Sequence, residues 1–465
     1  MTIDSSWIAS FKEDSPESFT KQIPFKPSAA FCDGQIRLMR GDSNNLLTWD
    51  DYIWRQFHSH VSNFYRNHGV STVILAFDDY AYVPEAKCMT QIKRRKNIPK
   101  IDFLEREPLP PVCPSGTRWD QCIANRVFKT KVILLVIQRL PTLLNLMPGQ
   151  TLIIDYAGHP VEYRPGEGGK LDTQTLAQFA PLGEADVKFT RYADVYRDLL
   201  VDSVDGDSVP IALLHHEQCI RDLTEGSMNP EDLTAIPPRI CIYRITTRTS
   251  DDEVVKRPEK KAKTDSEPYE PKVARCNHRT FEYVNIPSLF DSIRDTFAQC
   301  MGRTGYPTHS PHVMAMLTAL IGLTGTDFTR HMPQVSGKTV FGFLPTVLPL
   351  LINSFIAEEN QLDVHTATNF LVSGIYKSKF ETHLRQHSGP SVTLQTILYT
   401  LRTSKLSQRT CDCLPSVPQI ECTVKNVNWL LHYWTHPETV PAPIDADSTY
   451  GFAKRKGVVV YADCA

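Results

Sequence analysis

Short apolar runs alternate with longer stretches of helical period along the first 290 residues of the chain. The stretch Thr48–Tyr65 begins with a capping pair and predicts a helix, and so does Val127–Leu146, with Pro141 as an interruption. The short runs predict strands at Ala29–Cys32, Thr72–Phe77, Thr151–Ile154, Leu199–Val204, Arg239–Ile245 and Thr280–Asn285. Strands that alternate with helices indicate an α/β fold, in which a mostly parallel central sheet is flanked by helices.

Three other parts of the chain depart from this pattern. Residues 1–28 are polar and rich in Pro and Ser, and we expect a flexible N-terminal arm. Residues 29–345 form the predicted core, and 346–465 a predicted helical C-terminal region. Residues 246–275 are charged and contain three prolines, which predicts a disordered basic insertion within the core or a long hairpin tip. Its run Lys256–Lys263 suits a nuclear-localisation signal, a nucleic-acid contact or a solvated loop.

Composition narrows the class of protein. Among 465 residues, 50 Lys and Arg oppose 52 Asp and Glu, which argues against a polybasic nucleic-acid binder and against an acidic tail protein. Twelve cysteines are too few for a disulfide scaffold, so we expect free thiols. Val340–Ile356 is too short and too interrupted to span a membrane, and it predicts buried helices. We therefore expect an intracellular protein without a membrane partner, nuclear if Lys256–Lys263 acts as a signal and otherwise cytoplasmic.

Acidic residues follow several of the predicted strands. Asp33 ends the first strand and Asp78 the second, with Asp79 as an alternative to Asp78. Glu184 and Asp186 open a helical stretch, Asp205 and Asp207 follow the fourth strand, and Asp327 lies in a Gly-x-Asp context. Each acid alone is typical of a cap or turn, which is the role expected for Asp155, Asp194 and Asp202. In parallel sheets, ligands bind beyond the carboxyl ends of the strands, so the set indicates a site.

The acidic set suits two-metal phosphoryl chemistry. Mg²⁺ prefers oxygen ligands, and two ions about 3.5–4 Å apart need clustered carboxylates to offset their charge. We therefore predict that two Mg²⁺ or Mn²⁺ ions bind to seven acids, some of them through water. These metal ligands are Asp33, Asp78, Glu184, Asp186, Asp205, Asp207 and Asp327.

In order and spacing, these acids resemble those of the 5′-nuclease superfamily, which has a PIN-like core and includes flap endonucleases and 5′→3′ exoribonucleases. The resemblance covers about residues 29–345, although Asp186 stands where the family usually has Glu. It implies a PIN-like sheet with a helical arch or cap near residues 80–130. It also implies hydrolysis of DNA or RNA phosphodiester bonds near a 5′ end, with nucleic acid as the partner.

The basic segment after Asp78 extends the resemblance. Lys87, Gln91, Arg94 and Arg95 share one face if this segment is helical. The family resemblance assigns catalytic roles to Lys87 and Arg94, which would hold the scissile or terminal phosphate. Gln91 and Arg95 would complete this substrate-binding pocket, as in the exoribonuclease branch. Two other functions remain open at this point: a nucleic-acid-binding or scaffold protein without turnover, and a PIN-type endoribonuclease.

Overall fold

The computed structural model shows an α/β protein with one large mixed sheet flanked by helices. It describes residues 6–40, 48–79, 81–82, 101–203, 206–224, 237–250, 276–304, 312–326, 328–330, 332, 335–384, 393–403, 414–439, 450–455 and 458–462. The predicted α/β class is therefore confirmed, with a central sheet that is mostly parallel in its middle and flanked by helices.

The large sheet has nine strands in the described part of the chain. They are β1 (Phe19–Thr20), β2 (Ala29–Asp33), β3 (Thr72–Ala76), β4 (Thr151–Asp155), β5 (Val161–Pro165), β6 (Leu171–Thr175), β7 (Asp198–Asp202), β8 (Arg239–Ser250) and β9 (Cys276–Asn285). Their spatial order is β1-β9-β8-β7-β2-β3-β4-β5-β6. The five middle strands, from β8 to β4, are parallel, and antiparallel strands extend the sheet at both sides.

All six predicted strands are present. β2 and β3 are buried along their whole length, as expected for parallel strands covered on both faces. The hairpin of β5 and β6 was not predicted, because its strands are partly exposed and carry polar residues. β8 continues to Ser250, so the predicted insertion begins later than residue 246. Residues 251–275, including Lys256–Lys263, lie outside the described residues.

Helices cover both faces of the sheet and form most of the described residues after 285. They are α1 (Ser6–Asp14), α2 (Gly34–Leu38), α3 (Trp49–Ile53), α4 (Ser59–Asn63), α5 (Thr117–Ala124), α6 (Arg126–Leu144), α7 (Ala185–Ala193), α8 (Ser208–Thr224), α9 (Ile286–Thr304), α10 (Val313–Thr324), α11 (Gly337–Gly342), α12 (Leu344–Ser354), α13 (Val364–Thr366), α14 (Ser373–Lys379), α15 (Glu381–Leu384), α16 (Leu394–Thr403) and α17 (Val417–Thr435). The π-helical turn Trp54–His58 joins α3 to α4, and a second one, Phe64–His68, continues the same helix beyond α4.

The two predicted helices are confirmed in position. Thr48 and Asp51 form the capping box of α3, with the Asp51 amide donating to Thr48 Oγ1 over 3.1 Å. α6 continues through Pro141 to Leu144, so the proline does not end the helix. The predicted arch near residues 80–130 is described only in part, by α5, the start of α6 and the irregular segment before them.

Alternate residues of the central strands face two separate apolar layers. Ala29 and Phe31 of β2 pack with α7 and α8, whereas Ala30 and Cys32 pack with α6 on the other face. This period of two is the ordinary consequence of strand geometry. A side chain at the end of a strand is therefore assigned to one face by its position in the sequence.

The prediction of a flexible N-terminal arm is wrong for Ser6–Thr20. α1 buries Trp7, Ile8 and Phe11, and β1 pairs with β9. Phe11 follows Trp7 by four residues and Ile8 by three, so the three residues share one face of a single short helix. The polar composition of the whole segment obscured this short apolar pattern.

The C-terminal helices share an apolar core with one face of the sheet. Trp429, Tyr433 and Trp434 of α17 are almost fully buried, and their rings pack in this core. α11 and α12 confirm that the apolar stretch near residue 345 forms buried helices. In the described residues, no helix is long and apolar enough to cross a membrane. The expectation of free thiols holds for six described cysteines but is wrong for Cys422, which is disulfide-bonded.

Candidate functional site

The parallel strands bring several acids to the same edge of the sheet. Asp33 is paired in register with Ala76, and Ala76 with Asp155, so β2, β3 and β4 end level with one another. The five parallel strands lie side by side in the order β4-β3-β2-β7-β8, so their position along the chain decreases from β4 to β2 and increases from β7 to β8. The order reverses between β2 and β7, and such reversal points are where open α/β sheets bind ligands.

Asp33 is held at the end of β2 by its own helix. Its carboxylate is 7% exposed, and Oδ1 accepts a 2.8 Å hydrogen bond from the Gln35 amide as the N-cap of α2. Gly34 allows this tight passage, because a Cβ there would lie 2.5 Å from the Phe77 ring and 2.8 Å from the Ala76 carbonyl oxygen. The small residue therefore lets the end of β2 lie directly against the end of β3.

Asp78 joins the end of β3 to the start of α7. Its Oδ1 accepts a 3.0 Å hydrogen bond from the Ala185 amide. Glu184 is the N-cap residue of α7, but its side chain does not cap the helix. Asp78 therefore caps α7 from another strand, and this contact brings it next to Glu184, which is 1% exposed, and to Asp186 in the first turn. The positive end of the helix dipole favours carboxylates in this position.

Asp79, the alternative to Asp78, has a structural role. Its Oδ1 accepts from the Ala81 amide over 3.0 Å, and its Oδ2 accepts from the Gly158 amide over 3.2 Å. Both carboxylate oxygens thus hold loop backbone in place. This geometry favours Asp78 as the candidate ligand.

Lys129 of α6 is a site residue that the sequence reasoning missed. It is 6% exposed, and burial lowers its pKa while the charges of Asp78 and Asp33 act to raise it. The lysine therefore lies close enough to both acids for their charges to affect its pKa. The signal was a lone lysine on the buried stripe of α6, three and four residues before Val132 and Ile133.

The remaining predicted site residues divide into two groups. Asp207 is 6% exposed and directly precedes α8, beyond the end of β7. The others lie outside the described residues: Lys87, Gln91, Arg94, Arg95, Asp205 and Asp327.

The five described acids do not form one compact ligand cluster. Among the described side chains, no three of them have ligand oxygens that all lie within 4.8 Å of one another. Asp33, Glu184 and Asp207 are nevertheless nearly buried. These donors are carboxylate oxygens, the ligand type that Mg²⁺ and Mn²⁺ prefer, so their chemistry fits the predicted ions.

Asp155 has a different role from the cap or turn that was expected. It is fully buried, with Lys188 Nζ 3.0 Å from Oδ1 and the Tyr192 hydroxyl donating to Oδ2 over 2.8 Å. Arg191 also forms an ion pair with it. Lys188 donates in addition to the Phe77 carbonyl over 2.7 Å. This group, the Asp155 brace, connects the ends of β3 and β4 to α7.

Asp202 and Asp194 are also paired in ways the sequence reasoning did not predict. Asp202 Oδ2 accepts from Arg37 over 2.8 Å and from His60 Nε2 over 2.6 Å. Burial opposes its ionisation, but these two partners bring its pKa below the usual value. Asp194 lies 3.1 Å from His215, which belongs to α8.

Comparison with known proteins adds no relative. No protein-family model matches the chain, and no curated protein sequence matches it at a significant level. The resemblance to 5′-nucleases therefore stays a prediction from the order and spacing of the acidic and basic residues in the sequence.

Proposed function

We propose that the protein is a divalent-metal-dependent nuclease that hydrolyses DNA or RNA phosphodiester bonds near a 5′ end. One observation carries the proposal: acids distant in sequence lie at the same carboxyl edge of the parallel strands. Asp33 and Asp78 come from adjacent strands, and Glu184 follows more than 100 residues later at the helix that Asp78 caps. The reversal of strand order at this edge supports a PIN-like arrangement of the core.

The carboxylates would hold and orient the metal ions. Asp33, Asp78, Glu184, Asp186 and Asp207 are the described ligands of the proposal, and Asp205 and Asp327 complete it. Two bound Mg²⁺ ions would supply an activated water and stabilise the leaving oxygen. Lys87 and Arg94 would hold the phosphate, with Gln91 and Arg95 beside them.

Lys129 adds a role that the family resemblance did not include. A buried cation beside Asp33 and Asp78 offsets the repulsion between two carboxylates at adjacent strand ends. One lysine cannot balance five carboxylates, so the edge retains negative charge that suits cations. Lys129 therefore acts as a positioning residue for the two acids.

The same lysine favours a second candidate function, a nucleic-acid-binding protein without turnover. In such a protein, Lys129 would supply positive charge where an enzyme binds metal. The absence of a compact ligand group among the described acids agrees with this alternative. The two candidate functions differ in whether the protein cleaves nucleic acid when a divalent ion is present.

Cleavage assays separate these candidates. The substrates are 5′-phosphorylated single strands and flaps of DNA and RNA, incubated with Mg²⁺, with Mn²⁺ or with EDTA. We expect metal-dependent products, and at least about a 100-fold loss of rate in Asp33→Asn and Asp205→Ala. Asp198→Asn is the matched control, because Asp198 forms an exposed ion pair with Arg239 at the other end of β7.

Three results would contradict the enzyme proposal: no product with either metal, equal product in EDTA, or equal product from Asp33→Asn. Substrates with blocked 5′ ends test the PIN-type endoribonuclease. Internal cutting of blocked RNA would favour that enzyme over a 5′-nuclease.

A further inference from the structure

A cavity of about 460 Å³ lies on the face of the sheet that carries Asp202, Tyr243 and Tyr283. Its floor comes from three neighbouring strands, where Asp202 pairs in register with Tyr243, and Tyr243 with Tyr283. Successive residues of a strand point to opposite faces. Cys32 lies within 4.8 Å of the His60 and Asp202 ligand atoms, whereas Asp33 points to the other face. The cavity is therefore separate from the candidate metal site, although both adjoin the end of β2.

This cavity is unsuitable for a metal ion. Cys32, His60 and Asp202 lie close enough together to form a ligand group. Arg37 Nη2, however, is 2.8 Å from both His60 Nε2 and Asp202 Oδ2, so a guanidinium already occupies the position of a cation.

The charge of the cavity favours an anion. Its described lining contains two guanidinium groups, Arg37 and Arg40, against the single carboxylate of Asp202. Burial lowers the pKa values of His60 and His68, which favours the neutral form of both histidines. The described lining therefore carries one net positive charge.

Aromatic rings also line the cavity. The rings of Tyr243 and Phe281 are nearly parallel, 7° apart in plane and 5.5 Å apart between centroids. Tyr283 lies 5.2 Å from Tyr243. Phe281 is 49% exposed, although it belongs to the large sheet. Exposed rings beside arginines are the combination that binds the bases and backbone of single strands.

We propose that this cavity binds one nucleotide unit of single-stranded nucleic acid. The base would stack against Phe281 and its neighbouring tyrosines, and the phosphodiester would contact Arg40 with support from Arg37. A phosphodiester carries one negative charge, which matches the net charge of the lining better than the terminal phosphate of a free nucleotide does. The half-exposed ring at the rim leaves room for the strand to continue. The inference shares its ligand class with the proposed nuclease but does not require turnover.

Binding without cleavage tests the inference. Fluorescence anisotropy would follow 3′-labelled 12-nucleotide single strands of DNA and RNA in EDTA. Phe281→Ala should weaken binding at least about fivefold, because stacking contributes about 1–3 kcal/mol per base. Phe281→Tyr should restore it. Phe370→Ala is the matched control, because Phe370 is 56% exposed and is not a lining residue.

Arg40→Gln provides an independent measurement. It should weaken binding and reduce the slope of log affinity against log salt by about 0.7, the value for one phosphate contact on a single strand. Arg40→Lys should keep the slope. Arg40 is exposed at the end of α2, so these variants should fold, and urea unfolding would verify this.

Several outcomes would overturn the inference. One is that Phe281→Ala and Arg40→Gln both bind the strand with affinities within twofold of that of the wild type. Another is that the wild type does not bind at strand concentrations below about 100 µM. Competition by a free mononucleotide as strong as that by the 12-mer would show that the ligand is not a strand. Failure of the nuclease proposal is distinguishable, because cleavage would then be absent while binding still depended on Phe281.

Discussion

Removal of the Asp155 charge is predicted to be among the most destabilising single changes near the site. Asp155 is 0% exposed and Lys188 1% exposed, so the pair is shielded from water. In Asp155→Asn, the shape remains but the negative charge is lost. Lys188 and Arg191 would then lie next to each other without the carboxylate that joins them.

The magnitude follows from the burial of the lysine. Breaking one partner of a buried pair costs about 3–5 kcal/mol, since the remaining charge is desolvated without compensation. Asn retains a carbonyl oxygen that can accept from Tyr192, which keeps the loss in this range and not above it. Replacing Lys188 with Met as well removes the stranded charge. The double variant should recover at least half of the lost stability, because apolar replacement of a buried pair is often neutral.

Urea unfolding followed by circular dichroism and tryptophan fluorescence measures these free energies. Asp198→Asn is the control, since its partner Arg239 is 53% exposed and surface pairs contribute about 0–1 kcal/mol. A loss below about 1 kcal/mol in Asp155→Asn would refute the reasoning. So would a double variant that is less stable than Asp155→Asn, because the cost could not then come from the stranded lysine.

Two further predictions concern packing and pH. Gly34→Ala should destabilise the protein by about 1–3 kcal/mol, measured by urea unfolding, because its Cβ would overlap the Phe77 ring and the Ala76 carbonyl; an unchanged midpoint would contradict this. Burial raises the pKa of Glu217 from 4.5 to about 7, against hydrogen bonds from the Met314 and Ala315 amides that act to lower it. The folded state therefore keeps a proton that the unfolded chain releases between pH 4.5 and 7, and stability falls as pH rises through this window. From pH 5 to 8 the free energy of unfolding of the wild type should fall by up to about 3 kcal/mol more than that of Glu217→Gln. Equal decreases, measured by urea unfolding, would exclude a raised pKa of Glu217 as the cause.

Local patterns were sufficient for the elements of the sheet and for part of the site. Continuous apolar runs identified the strands because parallel strands are buried on both faces. The acid after each run identified the edge, since carboxyl ends of parallel strands meet there. Thr48 and Asp51 marked the start of a helix through a local hydrogen-bond pattern.

Local patterns failed where a residue's role depends on a distant partner. Asp155 and Asp202 follow strands just as Asp33 does, and nothing in the local sequence separates the three. Asp155 faces the cations of α7, whereas Asp202 faces Arg37 on the other side of the sheet. The unexpected hairpin of β5 and β6 is a related case, because its polar residues form a strand only where β5 pairs with β4.

The sequence by itself determined the α/β class, the central strands and the set of acids at their ends, because period and burial act over a few residues. Tertiary structure alone decided which acids remain at the edge, which are neutralised in ion pairs, and that Lys129 lies near Asp33 and Asp78. It also decided that arginines and aromatic rings from separate strands and helices share one cavity. The physical reason is that charge and burial are set by neighbours in space, which lie many residues apart along the chain.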